Sequence, residues 1–372
     1  MLASVVVSSY NYRRYLGEAI GSALAQDHRP TEVIVVDDGS TDGSPEVIAG
    51  FGDRVQAVLK ENGGQASAWN AGFRACRGDA VVFLDSDDLL GPAALSRAVT
   101  AFRDPGVVKM HWPLREVDEG GVPSGRLRPA APLARGDLSR AVARGGPAAY
   151  AWPPSSGSAW SRSFLERALP IPEEPFRVSP DLYLAGLAPL YGRVEALREA
   201  HGCWRAHGRN ATWRETFRER HAVSLRQLQI CFEAIEATAR RLGIEADAES
   251  MRKNSWWQIP LAAEELAQVL SPGKPYILVD QDEWAKELLP SGRPLPFLER
   301  DGAYWGPPAD DETAIGELER MRGQGAGHIA FGWPHLWWLE HYAGLHHHLR
   351  SRYRCVVESD RLVVFELSGG GG

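Results

Sequence analysis

The 372-residue chain has little cysteine, no excess of basic charge and no long apolar run. Its four cysteines, Cys76, Cys203, Cys231 and Cys355, are scattered, and none forms a CxxC pair. That argues against a zinc ribbon and a dithiol redox motif, and makes reduced thiols in a cytoplasmic protein the expectation. Formal net charge is -7, with 41 Lys and Arg against 48 Asp and Glu. A general nucleic-acid binder carries a basic surface, so no nucleic-acid partner is expected. No segment approaches the roughly 20 apolar residues of a spanning helix. The opening Met1-Leu2-Ala3-Ser4 has no basic region, so neither a transmembrane segment nor a signal peptide is expected. No Gly-x-Gly-x-x-Gly follows the first apolar run, which argues against a nicotinamide-dependent dehydrogenase.

What is present reads as globular protein. Hydrophobic residues make up 44% and charged residues 24%, enough for a core of useful size. The length implies about two domains. Residues 1–110 alternate strand and helix signals. Val5-Val6-Val7, Val33 to Val36, Val55 to Leu59 and Ala80 to Leu84 are short apolar runs. Between them Tyr15, Leu16, Ala19, Ile20 and Ala23 recur at helical spacing, and Ala66 to Ala75 reads as a helix after Gly63-Gly64. Such alternation implies a parallel α/β sheet covered on both faces. Ligands then bind beyond the carboxyl ends of the strands. Three of those ends are polar: Ser8 to Asn11, Asp37-Asp38 and Asp85 to Asp88. They are expected on one edge.

Residues 111–160 are rich in Gly, Pro, Ala and Arg and give no clear period. Two helical pieces are expected within 161–200, interrupted between Pro170 and Pro180. Arg214 to Leu242 and Glu249 to Leu270 read as helices of a connector. Ser271-Pro272-Gly273-Lys274-Pro275 marks a boundary. A second α/β pattern follows, with strands at 276–279 and 328–331, helices at 311–321 and 336–349, and final strands at 353–357 and 362–367. The expected organisation is a domain over 1–215, a helical connector over 216–271, an accessory α/β domain over 272–368 and a disordered Gly tail over 369–372.

The chemistry concentrates at Asp85-Ser86-Asp87-Asp88. Two carboxylates two positions apart, after an apolar strand, suit a hard divalent cation such as Mn2+ or Mg2+. Such a cation stabilises a diphosphate as it leaves. Alone, an Asp-x-Asp is weak evidence, because a solvated turn looks the same.

Its context is more specific. Val5-Val6-Val7-Ser8-Ser9-Tyr10-Asn11 is followed by Ala19-Ile20, Ser22 and Gln26, then by Glu32-Val33-Ile34-Val35-Val36-Asp37-Asp38-Gly39-Ser40-Thr41-Asp42. Asn62-Gly63-Gly64, Asn70-Ala71-Gly72, Gly78-Asp79 and Phe83-Leu84-Asp85-Ser86-Asp87-Asp88 come next. In order and spacing this resembles the family-two inverting glycosyltransferases of the GT-A fold, a Rossmann-like nucleotide-diphospho-sugar transferase domain. The resemblance is firm over the first quarter, thinner to about residue 215, and absent beyond 275. It implies that Ser8 and Tyr10 cradle a uracil-type base and that Asp37 and Asp38 accept hydrogen bonds from base or ribose. Asp85 and Ser86 then lie by the nucleoside, and Asp87 binds the metal. One departure is Trp69, where many relatives carry arginine.

The resemblance extends to two later segments. Pro180-Asp181-Leu182-Tyr183-Leu184 looks like the segment of the general base, which makes Asp181 the residue that takes the acceptor proton. Trp204-Arg205-Ala206-His207-Gly208-Arg209-Asn210 looks like an element near the phosphates, with His207 a further metal or pyrophosphate ligand and Arg205 supporting it. Ser156-Gly157-Ser158-Ala159-Trp160 resembles the acceptor-side loop, and Trp152 and Trp160 are the aromatic candidates beside Ser156 and Gly157. His346-His347-His348 is a decoy, since successive helical residues point in different directions. Trp333, Trp337 and Trp338 read as core.

The chain is thus expected to be a cytoplasmic, metal-dependent, inverting hexosyltransferase-type enzyme. It would use a nucleotide-sugar, a UDP-sugar, and an acceptor that is a glycan, lipid, peptide or small molecule. The alternative is a non-catalytic nucleotide- or carbohydrate-binding module on a degenerate GT-A fold. The accessory domain is expected to bind the acceptor, cover the site or pair two copies as a homodimer.

Overall fold

The computed structural model describes residues 1–130, 132–208, 217–253, 258–280, 284, 289, 292–300 and 303–367. The Gly369–Gly372 tail, Arg209-Asn210 and the first residues of the expected 214–242 helix lie outside this set. The chain divides into two compact units, one of residues 1–216 with 222–251, the other of 217–221 with 252–372.

The first unit is built on eleven strands: β1 (Ala3–Ser9), β2 (Thr31–Asp37), β3 (Gln56–Leu59), β4 (Ala80–Asp85), β5 (Leu89–Leu90), β6 (Val107–His111), β7 (Leu114–Val117), β8 (Pro123–Arg128), β9 (Ser158–Ser161), β10 (Arg193–Ala196) and β11 (Gly202–Arg205). Its helices are α1 (Arg13–Leu24), α2 (Ser44–Ala49), α3 (Gln65–Ala75), α4 (Ala94–Ala101), α5 (Ser139–Gly145), α6 (Arg162–Ala168), α7 (Asp181–Tyr191), most of α8 (Phe217–Leu242) and the start of α9 (Ala248–Lys253). The main sheet has the order β10-β6-β9-β4-β1-β2-β3. All its pairings are parallel except those of β9, which is antiparallel to β4 and β6.

The central strands β1, β2 and β4 are buried on both faces, which is why they read as continuous apolar runs. Side chains alternate with period two. Val5, Val7, Val33, Val35, Val82 and Leu84 pack with Leu16, Ala19, Ile20 and Ala23 of α1 on one side. Val6, Ile34, Val36, Val81 and Phe83 pack with Ala66 and Trp69 of α3 and with α7 on the other. At Gly72 an added Cβ would lie 2.2 Å from Val6 Cγ1. Only glycine lets α3 approach β1 that closely.

A smaller sheet has the order β5-β11-β7-β8. It positions the site, because β5 follows the acidic run and pairs antiparallel with β11. The chain therefore returns beside Asp87 and Asp88 at Arg205 to His207. These strands are two to six residues long. Their short length explains why 111–160 shows no readable period.

The second unit contains β12 (Pro275–Val279), β13 (Arg293–Pro296), β14 (Glu299–Arg300), β15 (Ala303–Tyr304), β16 (His328–Gly332), β17 (Arg354–Glu358) and β18 (Leu362–Glu366). Its helices are α10 (Gln258–Val269), α11 (Asp311–Gly323), α12 (Trp338–His341) and α13 (Ala343–Arg352). The sheet order is β13-β12-β16-β18-β17, with the first three strands parallel and the last pairings antiparallel. One expectation is corrected here. The stretch 336–349 is not one helix: a 3-10 turn and α12 stop at Tyr342, whose ψ of 69° is not helical. Tyr342 Oη donates to the Pro308 carbonyl at 2.7 Å, and Asp311 Oδ1 accepts from the Leu345 N–H at 2.9 Å. The second bond satisfies a first-turn N–H of α13, which starts as a new helix. Trp338 is fully buried, as expected of core, whereas Trp337 is 43% exposed.

Candidate active site

The carboxyl ends of β1, β2 and β4 share one edge, and in register Ser8 lies between Val36 and Asp85. Ser8 is buried, and Tyr10, just past the strand, is 42% exposed and presents its ring to solvent. Asp37 Oδ2 accepts from the Ser40 N–H at 2.9 Å. Its Oδ1 and the adjacent Ser9 Oγ are buried without a hydrogen-bond partner. Unsatisfied buried polar atoms are costly; at a strand end they fit a ligand that supplies the missing partners.

Asp38 is placed differently. Its carboxylate accepts from Lys60 Nζ (2.7 Å), Asn62 Nδ2 (3.1 Å), Gly63 N (3.0 Å) and Gly64 N (2.7 Å). Charge-assisted bonds of this kind are strong. Asp38 thus braces the Asn62-Gly63-Gly64 turn and sets the start of α3.

At the end of β4 the three aspartates separate into different environments. Asp88 is buried; Ser156 Oγ donates to its Oδ2 (2.7 Å) and the Arg205 N–H donates to its Oδ1 (3.0 Å). Ser156 Oγ also accepts from the Asp85 N–H at 3.1 Å. Because β9 runs antiparallel to β4, the turn before it, Ser155 to Gly157, is delivered to the acidic end of β4. Ser86 is buried beside them.

Asp87 Oδ2 lies 3.0 Å from His207 Nε2. The His207 ring is buried, stacked on Tyr15 at 5.0 Å between centroids and edge-on to Tyr12 at 5.7 Å. Arg205, also buried, donates through Nε to the Asp87 carbonyl (2.9 Å), through Nη1 to the Glu119 carbonyl (3.1 Å) and through Nη2 to Glu18 (2.7 Å). The arginine fixes the backbone of Asp87, and the tyrosines fix the imidazole. Beside them opens a cavity of roughly 780 Å3 lined by Asn11, Tyr12, Arg14, Asp42, Glu119 and His207 among others.

Among the described residues no three His, Cys, Asp or Glu side chains gather around one point. A divalent ion would take one carboxylate and one imidazole here, with its other positions left to water and phosphate oxygens. That donor set suits Mn2+ or Mg2+ bound together with a diphosphate.

Asp181 opens α7 and is buried. Burial raises its carboxyl to about 6, against the pull of Lys109 and of Ser155. Asp85 is pushed up to about 8, first by burial and then by the charges of Asp87 and Asp181, with Gln65 and Ser155 acting in the opposite direction. Burial, with Asp87 and Asp85 adding to it, also holds Asp88 well above the carboxylate range. Perturbed carboxyls clustered at a sheet edge are a mark of functional sites.

Gln65 and Lys109 were not singled out from the sequence. Gln65 Nε2 donates to Asp85 Oδ1 (2.6 Å), while its Oε1 accepts from the Ser179 N–H (3.1 Å), two residues before Asp181. One amide thus ties the end of β4 to the turn that carries Asp181. Lys109 is fully buried in β6. A charged residue inside Val107-Val108-Lys109-Met110 is the signal that was available.

The acceptor-side candidates divide. Trp160 is 1% exposed, with its ring against Phe164 and Lys109, so it serves the core. Trp152 is half-buried, donating Nε1–H to the Pro147 carbonyl at 3.1 Å. Gly157 has no room for a Cβ, which would lie 2.7 Å from Pro153. Trp69 is fully buried and stacks on Phe83 at 4.2 Å and 5°, so it serves the core. Asn70 bonds the backbone of Ile171 in both directions and is structural.

Comparison with known proteins found relatives and solved structures similar to this chain. Residues 4–146 match the family model described as glycosyl transferase family 2. A protein of Nostoc sp. called an uncharacterized glycosyltransferase is 36% identical over 214 residues, 56% of this chain and 66% of that protein. One of Rickettsia typhi, similarly described, is 39% identical over 98 residues, 26% of this chain and 31% of that protein. The chain thus spans just under two thirds of the first relative and about a third of the second. Among solved structures, Staphylococcus aureus TarS in complex with UDP-GlcNAc is similar over 72% of each chain, with 20% identity and a TM-score of 0.49. The mannosyltransferase PcManGT of Pyrobaculum calidifontis, in complex with GDP-Man and Mn2+, is similar over 72% of this chain and 76% of its own, with 21% identity and a TM-score of 0.44. Residues 4–146 are thus the part of this chain that is similar to glycosyl transferase family 2.

Proposed function

We propose that the chain is an inverting glycosyltransferase that moves a hexosyl-type sugar from a UDP-sugar to an acceptor hydroxyl, with residues 1–215 as its catalytic domain. The observation that carries the reading is the pair Asp85 and Asp87 at the end of β4, with the charge of a buried Asp181 acting on Asp85. Asp181 is raised to about 6, near the range where a carboxylate is an effective base.

In this reading Tyr10 offers its ring to the base, and Ser8, Asp37 and Ser86 supply polar contacts to the nucleoside. Asp38 keeps the adjoining turn in place, and Asp85 faces the ribose. Asp87 and His207 would hold Mn2+ or Mg2+, whose charge favours departure of the diphosphate. The Asp181 carboxylate takes the acceptor proton as the acceptor oxygen bonds to the anomeric carbon. The diphosphate leaves with the electron pair of the broken bond. The polar turn at Ser156-Gly157 and the half-exposed Trp152 border the acceptor side.

No described helix is long and apolar enough to cross a membrane. A cytoplasmic enzyme acting on a glycan, lipid, peptide or small-molecule acceptor is the corresponding proposal, with pairing of two copies as its oligomeric form. Release of UDP from UDP-glucose and UDP-N-acetylglucosamine in the presence of Mn2+ tests it. Turnover is expected to fall by about a hundredfold or more in Asp181→Ala. Near-normal turnover in both Asp87→Ala and Asp181→Ala would remove the site assignment. Metal-independent UDP binding without turnover in the unmodified protein would instead favour a non-catalytic binding module.

A further inference from the structure

Lys109 lies in the middle of β6 with no exposure to solvent. Its Nζ donates to Tyr150 Oη at 3.2 Å, and that hydroxyl donates in turn to the Ala185 carbonyl at 2.9 Å. Ala185 is four residues beyond Asp181 on α7, so the lysine is tied to the helix that carries the base. The rest of its surroundings is aromatic. Nζ lies 5.2 Å from the Tyr150 ring centre, 4.9 Å from Trp160 and 5.8 Å from Trp152. This is an unusual place for an ammonium group, since a buried charge is costly unless an opposite charge offsets it.

Among the described residues, four further groups act on the pair or face it. From β4, Asp85 faces Asp181, and with its carboxyl raised to about 8 it is neutral where Asp181 titrates. From the turn before β9, Ser155 hydrogen-bonds it. From α8 comes the neutral Cys231 thiol, held protonated by burial. On β6 itself, His111 is buried, and burial together with Lys109 drives it down to about 3, so it stays neutral. Among these groups Lys109 is the one cation whose charge acts on Asp181. We propose that Lys109 is a positioning residue for the transfer, its buried ammonium acting as the counter-charge that keeps Asp181 a carboxylate in a dry setting.

Burial lowers Lys109 to about 7 and raises Asp181 to about 6, while the charge of each works against that shift in the other. The aromatic walls add cation–π attraction without an acceptor that would compete for the charge. The proposal rests on the reading of Asp181 as the base, but the link between the two side chains can be measured without any donor or acceptor.

The experiment is a carboxyl NMR titration of protein labelled with 13C-aspartate, with the Asp181 signal assigned by its loss in Asp181→Asn. The unmodified protein is expected to show a midpoint near 6. In Lys109→Met that midpoint should rise by about one pH unit, the size of an opposite charge at close range. In Lys109→Arg it should stay near the original value. If Lys109→Met does not fold, Tyr150→Phe decides, because it removes only the hydroxyl that holds Nζ; a smaller rise supports the proposal. A midpoint unmoved in the folded variant overturns it. The acid limb of UDP release from UDP-glucose should follow the same midpoints. A moved NMR midpoint with full turnover in Asp181→Asn would instead sink the base assignment and leave the electrostatic link between the two side chains standing, so the two failures are distinguishable.

Discussion

Both units build an α/β sheet around parallel strands, yet the carboxyl ends of those strands differ. In the first unit β1, β2 and β4 end in Ser8 to Asn11, Asp37-Asp38 and Asp85 to Asp88, with buried polar atoms still lacking partners at Ser9 and Asp37. In the second, β12, β13 and β16 are followed by Asp280, Phe297 and Trp333. There Trp284 is buried, donates Nε1–H to the Trp333 carbonyl at 2.8 Å, and packs where a Cβ on Gly332 would lie 2.2 Å from its ring. Asp280 accepts from the Trp284 N–H at 3.0 Å. One edge is open and acidic, while the other has an indole inserted against it. A shared layer plan therefore says little about activity; the residues just past the strands say much more.

The contrast predicts that changes at the first edge act on turnover and changes at the second act on stability. The largest effect is expected for Asp87→Ala, which should lower UDP-sugar turnover by about a thousandfold while its melting temperature stays within a few degrees of the original. Trp284→Ala should cost about 3–5 kcal/mol of unfolding free energy, as a large buried ring is removed, with UDP affinity unchanged by calorimetry. Equal loss of UDP binding in that variant would break the separation between the two edges.

Gln65→Met should lower kcat by about tenfold to a hundredfold, because the turn bearing Asp181 loses its tie to Asp85. The donor KM should hold within about threefold. A change confined to KM would assign Gln65 to donor binding instead.

The smallest effect concerns pH. The Asp85 carboxyl is raised to about 8 in the folded chain, far above its ordinary value. The folded state therefore holds this proton more tightly than the unfolded chain does. The resulting stabilisation is complete below about pH 4 and is lost as pH rises through about 8. Asp85→Asn keeps the neutral form at every pH. Without nucleotide or metal, its melting temperature should match the original near pH 4 and exceed it at pH 8.5. A variant less stable than the original at pH 8.5 would contradict the charge crowding among Asp85, Asp87 and Asp181.

The amino-acid sequence determined β1 to β4, α1 and α3, because buried parallel strands and amphipathic helices leave local periodic patterns. It also determined the ordered polar strand ends, since each follows its own apolar run directly. Tertiary structure decided the rest. Only the pairing of β5 with β11 brings His207 to Asp87, 120 positions away in the chain. Only the antiparallel β9 delivers Ser155 and Ser156 to the acidic end of β4. Burial made Asp38 a brace, Trp160 a core ring and Lys109 a counter-charge, and burial is set by neighbours distant in sequence. Residue types and local order are written along the chain. The solvation and charge of each group depend on what packs against it, and that exists only once the sheet has assembled.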